Sequence, residues 1–263
     1  MPAPAERSSP DDLRPPLVRS ADGRRTLEFS SGDIQSEMLL AHPTALVLDY
    51  TRAMMCFALF APRPRHIVMV GLGGGSLAKF CHRHFPGSRI TVLEIRADVI
   101  ALRDAFLLPA DDARLRVLHC DAADYLAQAP GDADVLLVDG FDSRGLPPAL
   151  SSSDFYATCR RALRPGGVLV ANIFTYDPDY ASVLQRLDAI FEGRLGWFNR
   201  IAGNNRILFA VRPALPGAAP ERAERLLARL GRGDVAGGRG GYGSGWSNRL
   251  LARLVVAWLA RTN

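Results

Sequence analysis

The sequence predicts an α/β fold, a doubly wound open sheet of seven strands preceded by a small N-terminal β element. Three observations carry that prediction. Between residues 66 and 174, apolar β-prone runs alternate with helix-compatible segments of about ten to fifteen residues, the pattern of β-α units that feed a parallel sheet. Four of the five strand candidates in this region are near-continuous apolar runs, as central strands covered on both faces require. A glycine-rich loop, VGLGGGSL at Val70–Leu77, joins the first of these strands to a helix.

Taken in order, residues 1–24 are Pro-rich and polar and read as a disordered lead-in. Arg25–Ser30 and Leu46–Tyr50 are short β-prone runs on either side of GDIQSEMLLAHP, and they form the N-terminal element over 25–61 with a helix at Thr51–Phe60 that Pro62 and Pro64 end. The main domain spans 62–212. Its strands are His66–Val70, Arg89–Ile95, Arg114–Cys120, Asp134–Asp139 and Val168–Phe174, and its helices are Ser76–His84, Ala97–Phe106, Ala122–Ala129 and Ser151–Leu163. Pro165-Gly166-Gly167 reads as a turn before the fifth strand. A helix at Tyr180–Glu192 then leads to Leu195–Ile201 and Arg206–Val211, two strands joined by a GNN turn that close the sheet antiparallel. Residues 213–263 form a Gly- and Arg-rich tail, flexible in its middle. The tail ends in an amphipathic helix, Asn248–Arg261, whose Leu250, Leu251, Leu254, Val255 and Trp258 share one face for docking on the body or on another subunit.

Composition narrows the function classes. The net charge of +5 over 263 residues resides wholly in the tail, where eight arginines face three acids, so the body is neutral. A nucleic-acid partner is not indicated, since the tail's arginines have few aromatics among them. The first 25 residues lack the unbroken apolar stretch of a signal peptide, and no apolar run approaches the roughly 18 to 20 residues that span a bilayer. The four cysteines stand singly without a CxxC spacing. These features are expected of a cytoplasmic protein with reduced thiols and no membrane association. His82 and His84 are two apart on a helix and face different ways, so no metal site is expected.

The chemistry-bearing residues fall at the ends of the strands. Gly71, Gly73 and Gly75 let the backbone turn tightly and approach a ligand at a helix N-terminus. Glu94 ends the next strand, where an acidic side chain commonly grips ribose hydroxyls. Asp121, followed by Ala122, is placed equally well to accept from an adenine amino group or to cap the helix it precedes. The fourth strand ends in DVLLVDGFDSRGLPP, which puts Asp139 beside the crevice of the sheet with Asp142 at i+3 in a lid-like loop. Two carboxylates so spaced suit a cationic amine whose proton must leave before it attacks, although Asp142 also suits a turn cap.

The run from VGLGGGSL through LEI, HCDAADYL, LLVDGFDSRGLPPALSSSDFY and CRRALRPGGVLVANIF resembles the spermidine synthase (polyamine aminopropyltransferase) family. That family is a branch of the Rossmann-like, class I S-adenosylmethionine-dependent methyltransferase fold. The resemblance covers about 32–211, and Asp139–Tyr156 can be laid on the family's gate loop and following helix without a gap. It implies an enzyme that transfers an aminopropyl group from decarboxylated S-adenosylmethionine to an amine such as putrescine. On that carry-over Asp139 is the base and Asp142 orients the amine. Glu94 holds the ribose, Asp121 and Ala122 the adenine, and Gly71, Gly73 and Gly75 line the thioether end. Gln35 is similar to a glutamine that contacts the donor, and Tyr50 lies near a tyrosine of the amine pocket. The family also implies homo-oligomers, dimers or tetramers, built partly through the N-terminal β element.

Departures from the family pattern lie on the amine side. Gly74 stands where the family has an aspartate, Arg96 where it has an acid, Thr51 and Arg52 after the pocket tyrosine, and Arg200–Asn205 where it has an aromatic-rich segment. A donor that keeps its carboxylate, S-adenosylmethionine itself, fits Gly74 and gives a second expectation, a methyltransferase. A non-catalytic nucleoside-sensing protein is a third, against which the presence of both Asp139 and Asp142 argues.

Overall fold

The computed structural model describes residues 15–30, 32–141, 145–198, 200–202, 204–217, 222–230, 241–242 and 244–262. Three antiparallel strands open it: β1 (Leu17–Ala21), β2 (Arg24–Glu28) and β3 (Ile34–Leu39). Two short helices follow, α1 (Asp49–Met54) and α2 (Phe57–Phe60). The main domain then runs β4 (His66–Val70), α3 (Ser76–His84), β5 (Arg89–Glu94), α4 (Ala97–Ile100), β6 (Leu115–His119), α5 (Ala122–Ala127), β7 (Ala133–Val138), α6 (Ser153–Ala162), β8 (Leu163–Phe174), α7 (Tyr180–Ile190), β9 (Leu195–Phe198) and β10 (Asn205–Val211). Last come α8 (Arg222–Leu230), the two-residue β11 (Gly241–Tyr242) and α9 (Gly245–Thr262).

The main sheet has the order β11-β9-β10-β8-β7-β4-β5-β6. These are the seven expected strands plus β11 at one edge. Strands β4 to β8 are mutually parallel, and β10 returns antiparallel to β8. From β4 the chain winds outward through β5 and β6, then comes back to β7 on the other side of β4. A crevice therefore opens at the carboxyl ends of β4 and β7, where open α/β sheets bind ligands.

Alternation across the pleat explains the continuous apolar runs. Ile67, Met69, Val135, Leu137, Val168 and Val170 enter one core layer with residues of α1, α2, α3, α8 and α9. Their neighbours Val68, Val70, Leu136, Val138, Leu169 and Ala171 enter the layer under α5, α6 and α7. With both faces buried, both parities are mostly apolar, and the polar residues buried in these strands, such as His66, Thr91, Asp134 and Asn172, are hydrogen-bonded.

Several expectations are corrected. Leu17–Ala21 is a strand inside the stretch read as lead-in, since it pairs with β2 along its whole length; residues 1–14 lie outside the described residues. Leu46–Tyr50 is not a strand. Its carbonyls are taken by side chains of the helix that follows: Thr51 Oγ1 donates to Leu48 O at 2.7 Å and the Arg52 guanidinium donates to Val47 O at 2.8 Å and to Leu46 O. Ile34–Leu39 supplies the strand instead, with Ser36 and Met38 buried at period two. The helix expected over Thr51–Phe60 divides in two at Met55-Cys56. The helix expected at Ala97–Phe106 keeps its helical form only to Ile100, and the chain then turns so that Phe106 O accepts from Lys79 Nζ at 2.6 Å. Pro165-Gly166-Gly167 lies within β8, at a register irregularity opposite Ala133–Val135.

The tail ends in a helix docked on the body, one of the two expected places, but its docking face is corrected. Residues 231–240, its glycine-rich middle, lie outside the described residues, but α8 and α9 are packed parts of the core. Helix α9 docks through Ala252, Val255 and Leu259, with Asn248 buried on the same face. Leu250, Leu254 and Trp258 from the expected face are 41%, 58% and 46% exposed. The helix lies against α1 and α3, and of the expected face Val255 is buried there with Leu251 packed beside it. Among the described residues, no helix is long and apolar enough to cross a membrane.

Candidate active site

The four strand ends converge as the topology requires. Gly71 follows β4, Glu94 ends β5, Asp121 follows β6 and Asp139 follows β7. Gly71 has φ 93°, and a Cβ there would stand 2.4 Å from the Asp139 carbonyl oxygen, so the glycine loop rests directly on the Asp139 backbone. Gly73 and Gly75 have φ 51° and 68°, and Gly75 is the N-cap of α3. Left-handed conformations at three alternate positions curl the loop, with Gly71 N donating to Leu93 O and Gly75 N to Leu72 O, each at 2.9 Å.

Glu94 holds that loop in place. It is buried, with Oε2 accepting from Leu72 N at 2.9 Å and Oε1 from Arg96 N at 2.8 Å. Each oxygen keeps a lone pair for a further donor such as a hydroxyl. Asp121 is exposed and caps α5, its Oδ1 accepting from Ala123 N at 2.7 Å, while Ala122 behind it is buried.

Asp139 follows β7 and lies against the glycine loop. The β7–β8 register, which pairs Val138 with Ala171, sets it opposite Asn172, whose Nδ2 donates to Asp139 Oδ1 at 2.9 Å. Tyr50, in the first turn of α1, hydrogen-bonds the same carboxylate, and its hydroxyl also lies 3.4 Å from the Gln35 carbonyl. Burial pushes the Asp139 carboxyl up to about 6, against the pull of these two hydrogen bonds. Burial and the Asp139 charge together lift the Tyr50 phenol well above its ordinary range. A carboxyl held near neutrality in a partly dry site is ionised at pH 7 and retains affinity for a proton, which suits a general base.

Gln35 lies beside this group but turns its side chain to Asp33, Nε2 donating to Oδ2 at 2.8 Å. The residue of β3 that faces the glycine loop is Ser36, 3.5 Å from Ser76 Oγ. The space beside Gly74 is filled: a Cβ there would stand 2.6 Å from Ser36 Oγ and 2.7 Å from the Phe106 ring. An aspartate does not fit at this position without displacing both. Arg52 and Thr51 are engaged with the 46–48 carbonyls and serve the local fold. Asp142 lies outside the described residues. Among the described residues, no cluster of His, Cys, Asp or Glu is arranged to hold a metal. A cleft of about 640 Å³ lined by Arg63, Asp134, Arg164 and Trp258 lies at the amino ends of the strands, away from Asp139.

Ser36 and Asn172 were not singled out from the sequence. Asn172 had a signal: it is a lone amide in the apolar run VLVANIF at the carboxyl end of a central strand. Burying it without partners costs free energy, so its partners are the informative fact.

Residues 48–190 match the spermine/spermidine synthase domain. A polyamine aminopropyltransferase of Chromobacterium violaceum is 39% identical over 226 residues, 84% of this chain and 87% of that protein. The chain belongs to the spermine/spermidine synthase family. It is accordingly an enzyme, a transferase on a methyltransferase-type fold. A probable spermidine synthase of Corynebacterium glutamicum shares that fold, with a TM-score of 0.67 over 90% of both chains at 22% identity. A human eEF1A lysine and N-terminal methyltransferase is 34% identical over 192 residues, 65% of this chain and 27% of that protein. The family's members and this methyltransferase thus share a common scaffold.

Proposed function

We propose that the protein transfers an aminopropyl group from decarboxylated S-adenosylmethionine to a small amine such as putrescine, with Asp139 as the general base. The observation that carries this reading is the placement of Asp139: a carboxyl raised to about 6, held by Asn172 and Tyr50 and pressed against the glycine loop. In the proposed reaction the ammonium of the acceptor gives its proton to Asp139. The freed amine attacks the methylene carbon next to the sulfonium, a C–N bond forms and the C–S bond breaks. The electron pair returns to sulfur, leaving neutral methylthioadenosine. Most of the acceleration comes from positioning and from charge moving off sulfur in a preorganised site.

In this reading Glu94 takes the ribose hydroxyls on its remaining lone pairs, Asp121 and Ala122 flank the adenine, and Gly71, Gly73 and Gly75 line the thioether. Tyr50, Gln35 and Asp142 serve the acceptor side and the near end of the donor. The work is cytoplasmic, and the protein self-associates through its N-terminal sheet as a dimer or tetramer, which light scattering measures directly. Incubation with decarboxylated S-adenosylmethionine and putrescine is expected to release methylthioadenosine, and Asp139→Asn to lower that rate about 10²- to 10⁴-fold. Silence with a panel of short amines would remove the reading.

Gly74 supports a second reading. With Ser36 and Phe106 in its space and no carboxylate there, the loop has no acid to meet a bare ammonium, and a donor tail that carries its own carboxylate is not repelled. The protein would then be an S-adenosylmethionine-dependent methyltransferase, in keeping with its 34% identity to the human enzyme. Calorimetry separates the two: tighter binding of decarboxylated S-adenosylmethionine supports aminopropyl transfer, and tighter binding of S-adenosylmethionine supports methylation.

A further inference from the structure

The polar contacts of Asn172 continue past the base. Asn172 is 2% exposed, in the otherwise apolar run 168–174 of β8. Its Nδ2 donates to Asp139 Oδ1 at 2.9 Å, and its Oδ1 accepts from Asn205 Nδ2 at 2.9 Å. The sheet itself builds this line. Asn172 pairs with Ile207 across the antiparallel β8–β10 ladder, so Asn205, two residues before Ile207, projects from the same face at diagonal reach.

The chemistry of the three groups fixes the direction of every hydrogen bond. An ionised carboxylate only accepts, so Asn172 must turn its NH₂ toward Asp139. Its carbonyl then points the other way and needs a donor, which only the NH₂ of Asn205 supplies among the described residues. We propose that Asn205 and Asn172 are positioning residues for the base: Asn205 locks the Asn172 amide in the one orientation that donates to Asp139. That donation holds Oδ1 and leaves Oδ2 for the incoming amine.

Without Asn205 the buried Asn172 carbonyl loses its donor, and the amide is held in its donating orientation by Asp139 alone. The weaker hold on that donor disfavours the ionised base. Tyr50 is the titratable neighbour of Asp139 among the described residues, and it keeps its hydrogen bond in either case.

This inference rests on the reading of Asp139 as the base, and its test separates the two. Asn205 is half-buried at the start of β10, so Asn205→Ala removes the donor without emptying the core. Three results are expected of that variant: kcat about ten-fold lower, KM for the nucleoside donor unchanged, and the acid limb of the kcat–pH profile shifted up by about one unit. Asn205→Thr, which keeps a hydroxyl donor, is expected to recover most of the rate. A ¹³C titration of carboxyl groups, with the Asp139 signal assigned by its absence in Asp139→Asn, reads the same upward shift without turnover. An Asn205→Ala protein with an unmoved Asp139 titration overturns the relay, as does a rate loss that only follows the fraction of folded protein. If Asp139→Asn itself keeps full activity, the base assignment falls instead.

Discussion

Gly71→Ala tests whether the glycine loop and the base form one mechanical unit. A Cβ at Gly71 would lie 2.4 Å from Asp139 O, 3.0 Å from Asp139 C and 3.3 Å from Gly140 Cα. All three are backbone atoms that cannot rotate away, so the loops must separate by roughly 1 Å to reach ordinary contact. Left-handed backbone costs a non-glycine residue about 1–2 kcal/mol, and overpacking of this kind adds about 1–3 kcal/mol. At about 2–4 °C per kcal/mol for a domain of this size, Tm should fall by about 5–15 °C. A shift of roughly 1 Å at Asp139 should lower kcat about 100-fold. Gly73→Ala is the control: its φ of 51° is also left-handed, but the nearest atom to a new Cβ is Ser36 Cβ at 3.8 Å. It should cost only the backbone strain of about 1–2 kcal/mol. The assays are thermal melts and chromatographic release of methylthioadenosine. A Gly71→Ala protein that melts with Gly73→Ala and turns over near the parent rate would refute the proposed contact.

Three further outcomes follow from the same geometry. Asp139 acts as its carboxylate and its carboxyl sits at about 6, so kcat should fall as pH drops through that value and level off above it; a rate constant from pH 5 to 8 counts against the assignment. Glu94→Gln loses one of the two acceptor oxygens that hold Leu72 N and Arg96 N, and nucleoside affinity should weaken about ten-fold by calorimetry, at roughly 1.4 kcal/mol. On α9, Val255 is 5% exposed and Leu254 58%. Val255→Asp should therefore lower stability by about 3 kcal/mol or more and Leu254→Asp by less than about 0.5 kcal/mol in denaturant melts, and the opposite order would refute the docked face of α9.

The central strands were legible because their burial on both faces leaves an unbroken apolar record. His66–Val70 is read to the residue, and the other four strands of the alternating region fall in the expected places. Gly71, Glu94, Asp121 and Asp139 were legible for a related reason: a polar or glycine residue that ends such a run must lie at the sheet edge. What was illegible depended on partners distant in sequence. The 46–50 run looks like a strand until Thr51 and Arg52 take its carbonyls. Ser36 gains its place only when β3 is set beside the glycine loop, and Asn172 gains meaning only from Asp139 on one neighbouring strand and Asn205 on the other. The face of α9 was legible in part: Val255 and Leu251 pack as expected, while Ala252 and Leu259 are buried where Leu250, Leu254 and Trp258 were expected, because an apolar residue marks no one face on a helix that is apolar on several sides.

The path of α9 bears on how the chain is made. The helix lies against α1 and α3, and its Ala252, Val255 and Leu259 share a core layer with Met54, Phe57 and Phe60. These partners are separated by about two hundred positions in the sequence. During synthesis the part of the early helices that α9 covers stays exposed until residues 245–262 leave the ribosome, long after β4 to β8 have been made. Closing a contact over such a separation is slow and leaves the intermediate prone to association. A nascent chain arrested before residue 245 should therefore bind chaperones more than one that extends through residue 262, as co-precipitation from a translation reaction measures.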